Sequence, residues 1–169
     1  MAYVFISLGS NMDKEQMIPA ALDLLREHCI LLAVSDLYET LPVGSLDQHT
    51  FYNGAALVET SLTAHALKHQ VLRLIEQQLG RIRPSDPTVP HPIDLDIVLY
   101  GESIDELDGR PIPHPDIVKY GYVAIPLAEL APAYIHPVTH QSLSEIASGF
   151  KESNGILRRI PFRFPSERA

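Results

Sequence analysis

Hydrophobic and polar positions divide the first two thirds of the chain into segments with two different periods. Four segments alternate apolar and polar residues or are rich in β-branched and aromatic residues, which favours strands. We predict these strands at Tyr3–Leu8, Cys29–Tyr38, Phe51–Glu59 and Ile93–Gly101. Two further segments repeat apolar residues every three or four positions, which predicts helices at about Lys14–His28 and Thr63–Leu79. Thr63 and Gly80 are residue types that commonly begin and end a helix.

The order of these elements predicts an α+β fold. Strand, helix, two strands, helix and strand follow one another, and a loop-like segment, 39–49, joins the second strand to the third. This βαββαβ order matches the split βαβ, or ferredoxin-like, arrangement. The 169 residues contain no repeat and no linker-like segment, so we expect residues 1–169 to form a single domain.

The rest of the chain carries weaker signals. Four prolines between Pro84 and Pro92 predict an irregular loop, and the acidic residues after Gly101 predict a turn region. The segment Asp116–Leu130 is predicted to be helical in its second half with an interruption at Pro126, and a short helix is predicted at Leu143–Ser148. We interpret the C-terminal arginines as part of a solvated tail: Arg158, Arg159 and Arg163.

The predicted strand Ile93–Gly101 contains the most informative polar residues. Asp94 and Asp96 are two positions apart, so in a strand both side chains point to the same face. Two carboxylates on one face repel each other unless a cation bridges them or water solvates them. Mg²⁺ is commonly held by one or two carboxylates together with substrate phosphates. The alternative is a half-exposed strand with two solvated aspartates.

Arginines precede this strand. Arg81 and Arg83 leave the end of the second predicted helix just before the proline-rich loop. Guanidinium groups there can stabilise the helix C-terminus, or they can clamp phosphates with paired hydrogen bonds. Because the acidic strand follows about ten residues later, a Mg²⁺-bound polyphosphate could lie between the arginines and the aspartates.

Two other groups of residues have both a functional and a structural interpretation. Phe51 and Asn53 combine an aromatic ring with an amide and would suit a flat heterocycle, although core packing is the better explanation of any single aromatic residue. His65 and His69 are four positions apart on the second predicted helix, so their side chains can meet. We interpret this pair as a surface feature rather than a metal site.

Composition narrows the possible partners. The net charge is −8, so a long nucleic acid is not expected as a partner. No apolar run approaches the ~18 residues that span a bilayer, so no membrane partner is expected. The first six residues do not have the pattern of a signal peptide, and the single Cys29 fits a reducing compartment. We therefore expect a cytoplasmic protein, whose oligomeric state the sequence does not indicate.

Several motifs in order resemble the 6-hydroxymethyl-7,8-dihydropterin pyrophosphokinase family of folate biosynthesis. The resemblance runs from Val4 to about Pro132. It is carried by Leu8-Gly9-Ser10-Asn11, Tyr38-Glu39-Thr40 with Pro42 and Gly44, Phe51-Tyr52-Asn53-Gly54-Ala55, Glu76 with Gly80-Arg81 and Arg83, Asp94-Leu95-Asp96-Ile97, Pro113-His114-Pro115, and Pro126-Leu127 with Glu129-Leu130-Ala131-Pro132.

The resemblance implies a fold, a reaction and a set of site residues. The fold would be a three-layer α/β/α form built on the ferredoxin-like core, and the reaction would move pyrophosphate from MgATP to the hydroxymethyl group of the pterin. Asp94 and Asp96 would bind two Mg²⁺ ions that bridge the ATP phosphates. The residues implied for ATP are Glu76, Arg81, Arg83 and His114. Those implied for the pterin are Thr40, Leu41, Val43, Phe51, Asn53 and Tyr122.

The chain departs from the family pattern at two places. The signature has Gly-Pro-Arg before the paired aspartates, whereas this chain has Val89-Pro90-His91. A second arginine is expected where this chain has Tyr120. We place His91, in the position of the arginine, among the catalytic residues with Arg81, Arg83, Asp94 and Asp96. The departures keep open a second hypothesis, a pterin- or nucleotide-binding relative with weak or no catalysis, and a third, an unrelated α+β interaction protein.

Overall fold

The computed structural model describes residues 1–41, 50–81, 92–150 and 155–164. Its strands are β1 Ala2–Ser10, β2 Ile30–Val34, β3 Leu37–Thr40, β4 Phe51–Thr60, β5 Asp94–Tyr100, β6 Asp105–Leu107, β7 Arg110–Ile112 and β8 Ile156–Ile160. Its helices are α1 Lys14–Arg26, α2 Ala64–Ala66, the π-helical turn Leu67–Leu72, α3 Arg73–Gln78, α4 Asp116–Lys119, α5 Gly121–Leu130 and α6 Leu143–Ser148. Within these ranges, every helix is too short or too polar to cross a lipid bilayer.

Six strands form one antiparallel sheet. The order is β5-β1-β4-β3-β8, and β2 also pairs with β4. Strand β4 therefore lies between β1 and the β2–β3 segment, which is the arrangement of a split βαβ unit. The β6–β7 hairpin forms a separate two-stranded sheet. This topology confirms the predicted α+β fold with a ferredoxin-like core.

Each face of the large sheet packs against its own layer of helices. On β1, Ile6 and Leu8 face a cluster that includes Leu22 of α1 and Ile75 of α3. Phe5 faces the opposite cluster, which contains residues of α4, α5 and α6. Because successive side chains of a strand point to opposite faces, one apolar strand supplies both cores. The three-layer α/β/α arrangement is therefore confirmed as well.

The single strand predicted at Cys29–Tyr38 is wrong. The chain forms β2 and β3 with a break at Ser35 and Asp36, where side chains replace ladder hydrogen bonds. The Ala55 N–H donates to Ser35 Oγ at 2.9 Å, and the Asp36 N–H donates to Glu129 Oε2 at 2.6 Å. The segment is apolar on both sides of Ser35 and Asp36, so the hydrophobic pattern alone did not reveal the break.

The predicted interruption at Pro126 is also wrong. Helix α5 continues through Pro126, which is buried, and the helical segment is instead broken at Tyr120 with φ −128° and ψ 128°. A proline inside a helix removes one hydrogen bond, a cost that burial against the sheet can offset.

Three elements were not predicted: the β6–β7 hairpin, helix α4 and strand β8. The acidic segment after Gly101 contains the β6–β7 hairpin, and Arg158 and Arg159 belong to β8 rather than to a solvated tail. Arg159 Nε donates to Asp36 Oδ2 at 2.8 Å, and its Nη2 donates to Glu129 Oε1 at 2.5 Å. The hairpin and β8 are short, and neither has the alternation that identifies a half-buried strand.

Candidate active site

Asp94 and Asp96 lie at the beginning of β5, an edge strand of the large sheet. In the register with β1, Asp94 is opposite Gly9 and Asp96 is opposite Ser7. Both carboxylates therefore lie on one face of the sheet, and their side chains are 41% and 30% exposed. Leu95, between them, is buried on the other face. The prediction of a strand with one acidic and one apolar face is confirmed.

The second helical segment carries charged side chains to this edge. Thr63 Oγ1 accepts a hydrogen bond from the Ala66 N–H at 3.1 Å, as expected for the first residue before a helix. The segment ends at Gly80, whose φ of 97° is in the left-handed region, and the Arg81 N–H then donates to the Glu76 carbonyl at 2.9 Å. This turn directs Arg81 back towards the start of β5.

Glu76 is a buried carboxylate that pairs with the open edge of β5. It is 1% exposed, and its Oε2 accepts the Leu95 N–H at 2.8 Å. Arg73 Nη1 donates to Glu76 Oε1 at 2.8 Å and to the Leu95 carbonyl at 3.1 Å. Arg81 Nη1 donates to the Ile93 carbonyl at 3.2 Å and lies 3.3 Å from Glu76 Oε2. Side chains thus supply the hydrogen bonds that a neighbouring strand would make.

The same two arginines also contact the paired aspartates. Arg81 Nη1 lies 2.6 Å from Asp94 Oδ1, and Arg73 Nη2 lies 3.5 Å from Asp96 Oδ1. Among the described residues, the buried Nε of Arg81 has no hydrogen-bond partner. A buried donor without an acceptor is costly, so an anion bound beside Arg81 would gain a donor that is already desolvated.

The environment of Asp96 fits a divalent cation. Burial, together with the nearby Asp94 carboxylate, raises the pKa of Asp96 to about 6, and the Arg73 guanidinium offsets only part of that shift. Two carboxylates whose negative charges are incompletely compensated form a hard-oxygen donor set of the kind that Mg²⁺ prefers. The residues present therefore fit this ion.

His114 is held in a defined orientation close to the aspartates. A register shift in the β1–β5 pair leaves the Val98 carbonyl to accept the His114 N–H at 2.9 Å. The Asp116 N–H donates to His114 Nδ1 at 3.1 Å, so the neutral ring carries its proton on Nε2. Burial lowers the pKa of His114, although Asp116 opposes that shift. His114 can therefore act as a neutral hydrogen-bond donor.

A cavity of about 620 Å³ lies in front of β5. Its walls include the cationic side chains of Lys68, Arg73, Arg81 and Arg110 and the apolar side chains of Ile97, Leu107 and Ile112, and both aspartates and His114 also line it. A chain with a net charge of −8 thus concentrates four cationic groups around one cavity. Such a cavity suits a polyphosphate attached to a flat apolar group.

Sequence reasoning missed three of these cations. Arg73 precedes Glu76 by three residues on a helix, so the helical spacing could have linked it to the site. Lys68 lies on the same helical segment, but it is five positions from Arg73, and this spacing does not identify neighbours on a helix surface. Arg110 reaches the cavity through the β6–β7 hairpin, which the sequence did not predict.

Three of the residues implied for the pterin lie on the same face of the sheet as Asp94. Asn53 Nδ2 donates to Thr40 Oγ1 at 2.6 Å, and Phe51 is opposite Thr40 in the β3–β4 register. Gly9 on β1 is opposite Asn53 on β4 on one side and opposite Asp94 on β5 on the other. A Cβ at Gly9 would lie 3.4 Å from Asn53 Oδ1 and 3.9 Å from Asp94 Cβ. Because Gly9 has no side chain, the sheet surface between the Asn53 amide and the Asp94 carboxylate is open at this position.

The other implied residues differ in how they relate to this face. Tyr122 lies on α5, in the helical layer that covers the face, and its ring stacks on Tyr120 with centroids 5.1 Å apart. Leu41 follows β3 and is 55% exposed. Val43, Arg83 and His91 lie outside the described residues.

The chain is similar to known proteins of one family. The family model of 7,8-dihydro-6-hydroxymethylpterin-pyrophosphokinase matches residues 5–132. The folic acid synthesis protein fol1 of Pneumocystis carinii is 38% identical over 97% of this chain. A 2-amino-4-hydroxy-6-hydroxymethyldihydropteridine pyrophosphokinase of Porphyromonas gingivalis is 36% identical over 81% of this chain and 95% of its own length.

Solved structures are similar in fold. The wild-type HPPK-DHPS of Plasmodium falciparum, crystallised with pterin and p-hydroxybenzoate, aligns with a TM-score of 0.69 at 15% identity over 88% of this chain. The same protein crystallised with pteroate gives a TM-score of 0.70 at 14% identity. This chain spans only 22% of the Pneumocystis protein and 41% of the first Plasmodium structure.

We predict that Glu76→Ala lowers the free energy of unfolding by about 3 kcal/mol, because it leaves two guanidinium groups and a backbone N–H without their buried acceptor. Glu76→Gln keeps one carbonyl oxygen for the Leu95 N–H and should cost less. Urea denaturation of the metal-free protein measures both values. Equal losses in the two variants would show that the carboxylate does not hold the edge of β5.

We predict that Asp96→Asn stabilises the metal-free protein at neutral pH. A raised pKa means that the folded state holds a proton that the unfolded state releases between about pH 4 and pH 6. The wild-type protein thus loses stability as the pH rises through this window, whereas Asn does not titrate. The gain should be on the order of 1 kcal/mol at pH 7.5 and absent near pH 3.5. Thermal denaturation at the two pH values checks this, and an equal gain at both would contradict it.

Proposed function

The chain belongs to the 7,8-dihydro-6-hydroxymethylpterin-pyrophosphokinase family, and we propose that it transfers pyrophosphate from MgATP to the hydroxymethyl group of 6-hydroxymethyl-7,8-dihydropterin. Members of this family are ATP-dependent diphosphotransferases. The observation that carries the proposal is the position of Asp94. It lies across Gly9 from Asn53, and it also lines the cationic cavity. An acceptor and a polyphosphate could therefore meet at one carboxylate.

The pterin would bind on the sheet face that carries Thr40, Phe51 and Asn53. Because Asn53 Nδ2 already donates to Thr40, its Oδ1 is oriented to accept from the amino-pyrimidine edge of a pterin. Phe51 offers an aromatic surface, and Tyr122 offers another from the helical layer above. The absence of a side chain at Gly9 would let the pterin extend from Asn53 towards Asp94.

ATP would bind in the cavity in front of β5. Lys68, Arg73, Arg81 and Arg110 would contact the phosphates, and the Arg81 Nε without a described partner supplies a buried donor. His114 would donate from Nε2 to a phosphate oxygen. The apolar wall of Ile97, Leu107 and Ile112 would accept the adenine ring. Arg83 and His91, outside the described residues, remain predictions for the same subsite.

Two Mg²⁺ ions would be held by Asp94 and Asp96 together with phosphate oxygens. When bound, such ions neutralise phosphate charge and orient the group that is transferred. The chain's own contribution before ATP binds is to keep both carboxylates on one strand face, compensated by Arg73 and Arg81. As ATP enters, these arginines would exchange carboxylate contacts for phosphate contacts.

The proposed reaction is an in-line displacement at the β-phosphorus of ATP. The pterin hydroxyl oxygen forms a bond to the β-phosphorus while the bond from that phosphorus to the α–β bridging oxygen breaks, and AMP leaves. The hydroxyl proton is released to water as the new phosphate ester forms, and Asp94 would accept a hydrogen bond from that hydroxyl before it reacts. The cationic side chains stabilise charge on the leaving AMP, which is where phosphoryl-transfer enzymes gain most of their rate.

Two departures from the family pattern favour the second candidate, a ligand-binding relative with little catalysis. Where the resemblance expects an arginine, Tyr120 stacks on Tyr122 and offers no cation of its own. His91 stands in place of the other arginine, and an imidazole cannot reproduce the planar fork of a guanidinium. Loss of a transition-state arginine can cost about 10³-fold or more in rate.

We further infer a cytoplasmic protein in which residues 1–169 act as one domain. The buried, unpaired Cys29 fits a reducing compartment, and the charge of −8 fits small-molecule rather than nucleic-acid partners. A pyrophosphokinase that uses cellular ATP would work in such a compartment.

We predict that the purified chain produces AMP from ATP only when Mg²⁺ and 6-hydroxymethyl-7,8-dihydropterin are both present. Asp94→Asn should lower AMP formation by at least about 10³-fold, because it removes charge at the junction of both substrates. The matched control is Asp105→Asn, an exposed aspartate on β6 that should keep full activity. Chromatographic separation of ATP, ADP and AMP gives the readout.

The same assay separates the two candidate functions. Wild-type protein that binds both ligands by calorimetry but produces no AMP at high enzyme concentration would refute catalysis and support the binding relative. Wild-type protein that binds neither MgATP nor the pterin would refute both candidate functions.

We predict that Asn53→Ala raises the KM for the pterin by at least about tenfold, because a hydrogen bond at a buried site is lost. The KM for ATP should change by less than about twofold, since Asn53 does not line the cationic cavity. Steady-state kinetics with each substrate varied in turn measures the two constants. An equal rise in both would indicate a general structural defect rather than a pterin contact.

A further inference from the structure

We propose that His65, His69 and Asp108 form a second metal site that takes a borderline divalent transition-metal ion such as Zn²⁺. This group, which we call the histidine cluster, lies outside the paired aspartates. One ligand atom from each of the three side chains lies within 4.8 Å of the others. The position of Asp108 beside the two histidines replaces the sequence-based interpretation of the pair as a surface feature. The proposal rests on these three side chains and does not require the proposed reaction, although His69 and Asp108 line the same cavity.

The helix brings the two imidazoles together. His65 lies in α2 and His69 in the π-helical turn that follows, four residues later along the same helical segment. Their ring centroids are 4.4 Å apart, with an angle of 43° between the ring planes. Two histidines at this spacing on one helical face are a recurrent way to hold Zn²⁺.

The third ligand comes from the β6–β7 hairpin. Asp108 and Gly109 form its two-residue turn, with φ angles of 51° and 81°, as expected for the tight turn that joins antiparallel strands. This turn brings Asp108 Oδ2 to 2.6 Å from His69 Nε2. Sequence spacing could not have predicted this contact, because 39 residues separate the two positions.

The spacing of the three side chains is close to that of a tetrahedral site. In such a site, Zn–N distances of about 2.0–2.1 Å place ligand atoms about 3.3 Å apart. The ligand atoms of the histidine cluster lie within 4.8 Å of one another, so each pair would change its separation by at most about 1.5 Å to reach this spacing. All three side chains are exposed, so rotation about side-chain bonds suffices.

The chemistry of the ligands distinguishes this site from the paired aspartates. Two imidazoles and one carboxylate favour Zn²⁺, Co²⁺, Ni²⁺ or Cu²⁺, whereas a carboxylate pair favours Mg²⁺. Three protein ligands leave a fourth position for water or a ligand oxygen. Excess Mg²⁺ should therefore occupy the aspartates without displacing a transition metal from the histidine cluster.

Lys68 competes for the same carboxylate. Its Nζ lies 2.7 Å from Asp108 Oδ2, the oxygen that also contacts His69. A bound dication would repel this ammonium group, which would have to release Asp108 and turn into the adjoining cavity that it already lines. Removing the charge of Lys68 should therefore strengthen metal binding.

A bound ion would join the hairpin to the helix. His69 and Asp108 are in contact and both line the cavity in front of β5, so the ion would hold the hairpin against the helical segment at this point. A ligand that binds only the folded state also raises its thermal stability by mass action. The melting temperature thus provides a readout that does not depend on enzymatic activity.

The test is a titration of the whole chain with ZnCl₂ in millimolar Mg²⁺, followed by competition with a chromophoric chelator. We expect one Zn²⁺ per chain and a rise in melting temperature. His65→Ala, His69→Ala and Asp108→Asn should each weaken binding by at least about tenfold and abolish the thermal shift. Lys68→Gln should tighten binding, and His28→Ala, which removes an exposed imidazole elsewhere, should leave it unchanged.

The proposal is overturned by either of two results. One is the absence of saturable Zn²⁺ binding by the wild-type protein in the presence of Mg²⁺. The other is wild-type affinity in both His65→Ala and His69→Ala, which would assign the ion to other residues. Co²⁺ titration gives an independent signature, because tetrahedral coordination by the histidine cluster produces strong visible absorption that the histidine variants should lack.

Discussion

The carboxylate of Glu76 is the contact on which the acidic strand depends. Among the strands that the structure describes, β5 pairs only with β1, and the backbone groups of its outer edge require other partners. Glu76 accepts the Leu95 N–H there and also binds the guanidinium of Arg73. Because a buried charge is tolerated only when it is paired, the edge of the strand and the positions of the arginines are determined together.

This arrangement gives Arg73 and Arg81 two kinds of partner. In the ligand-free protein they compensate the aspartates and complete the hydrogen bonding of β5. A polyphosphate would compete for their remaining donors without removing the contacts to backbone carbonyls and Glu76. The arginines could therefore move from carboxylate to phosphate while the strand that carries Asp94 and Asp96 stays in place. The energetic cost of assembling the site would be met in folding rather than in binding.

The sequence predicted features that depend on local pattern. The shared face of Asp94 and Asp96 follows from a period of two, and the ends of the second helix follow from Thr63 and Gly80. It did not predict contacts that depend on how distant elements meet. Arg110 and Asp108 reach the cavity only because a short polar hairpin folds over it, and such a hairpin leaves no hydrophobic periodicity. The family resemblance indicated which residues belong to the site, but the distances between them are known only from the folded structure.

Under the proposed function, Gly9 would allow Asp94 to contact both the pterin and the metal-bound polyphosphate. Strand β1 is central in this part of the sheet, and its residues separate β4 from β5. At any other residue type, a side chain at this register position would stand between Asn53 and Asp94. Glycine removes that barrier without interrupting the backbone hydrogen bonds, so the sheet surface is continuous from Asn53 to Asp94. A sheet with a fully packed central strand would hold the same aspartates, yet it would keep a flat acceptor away from them.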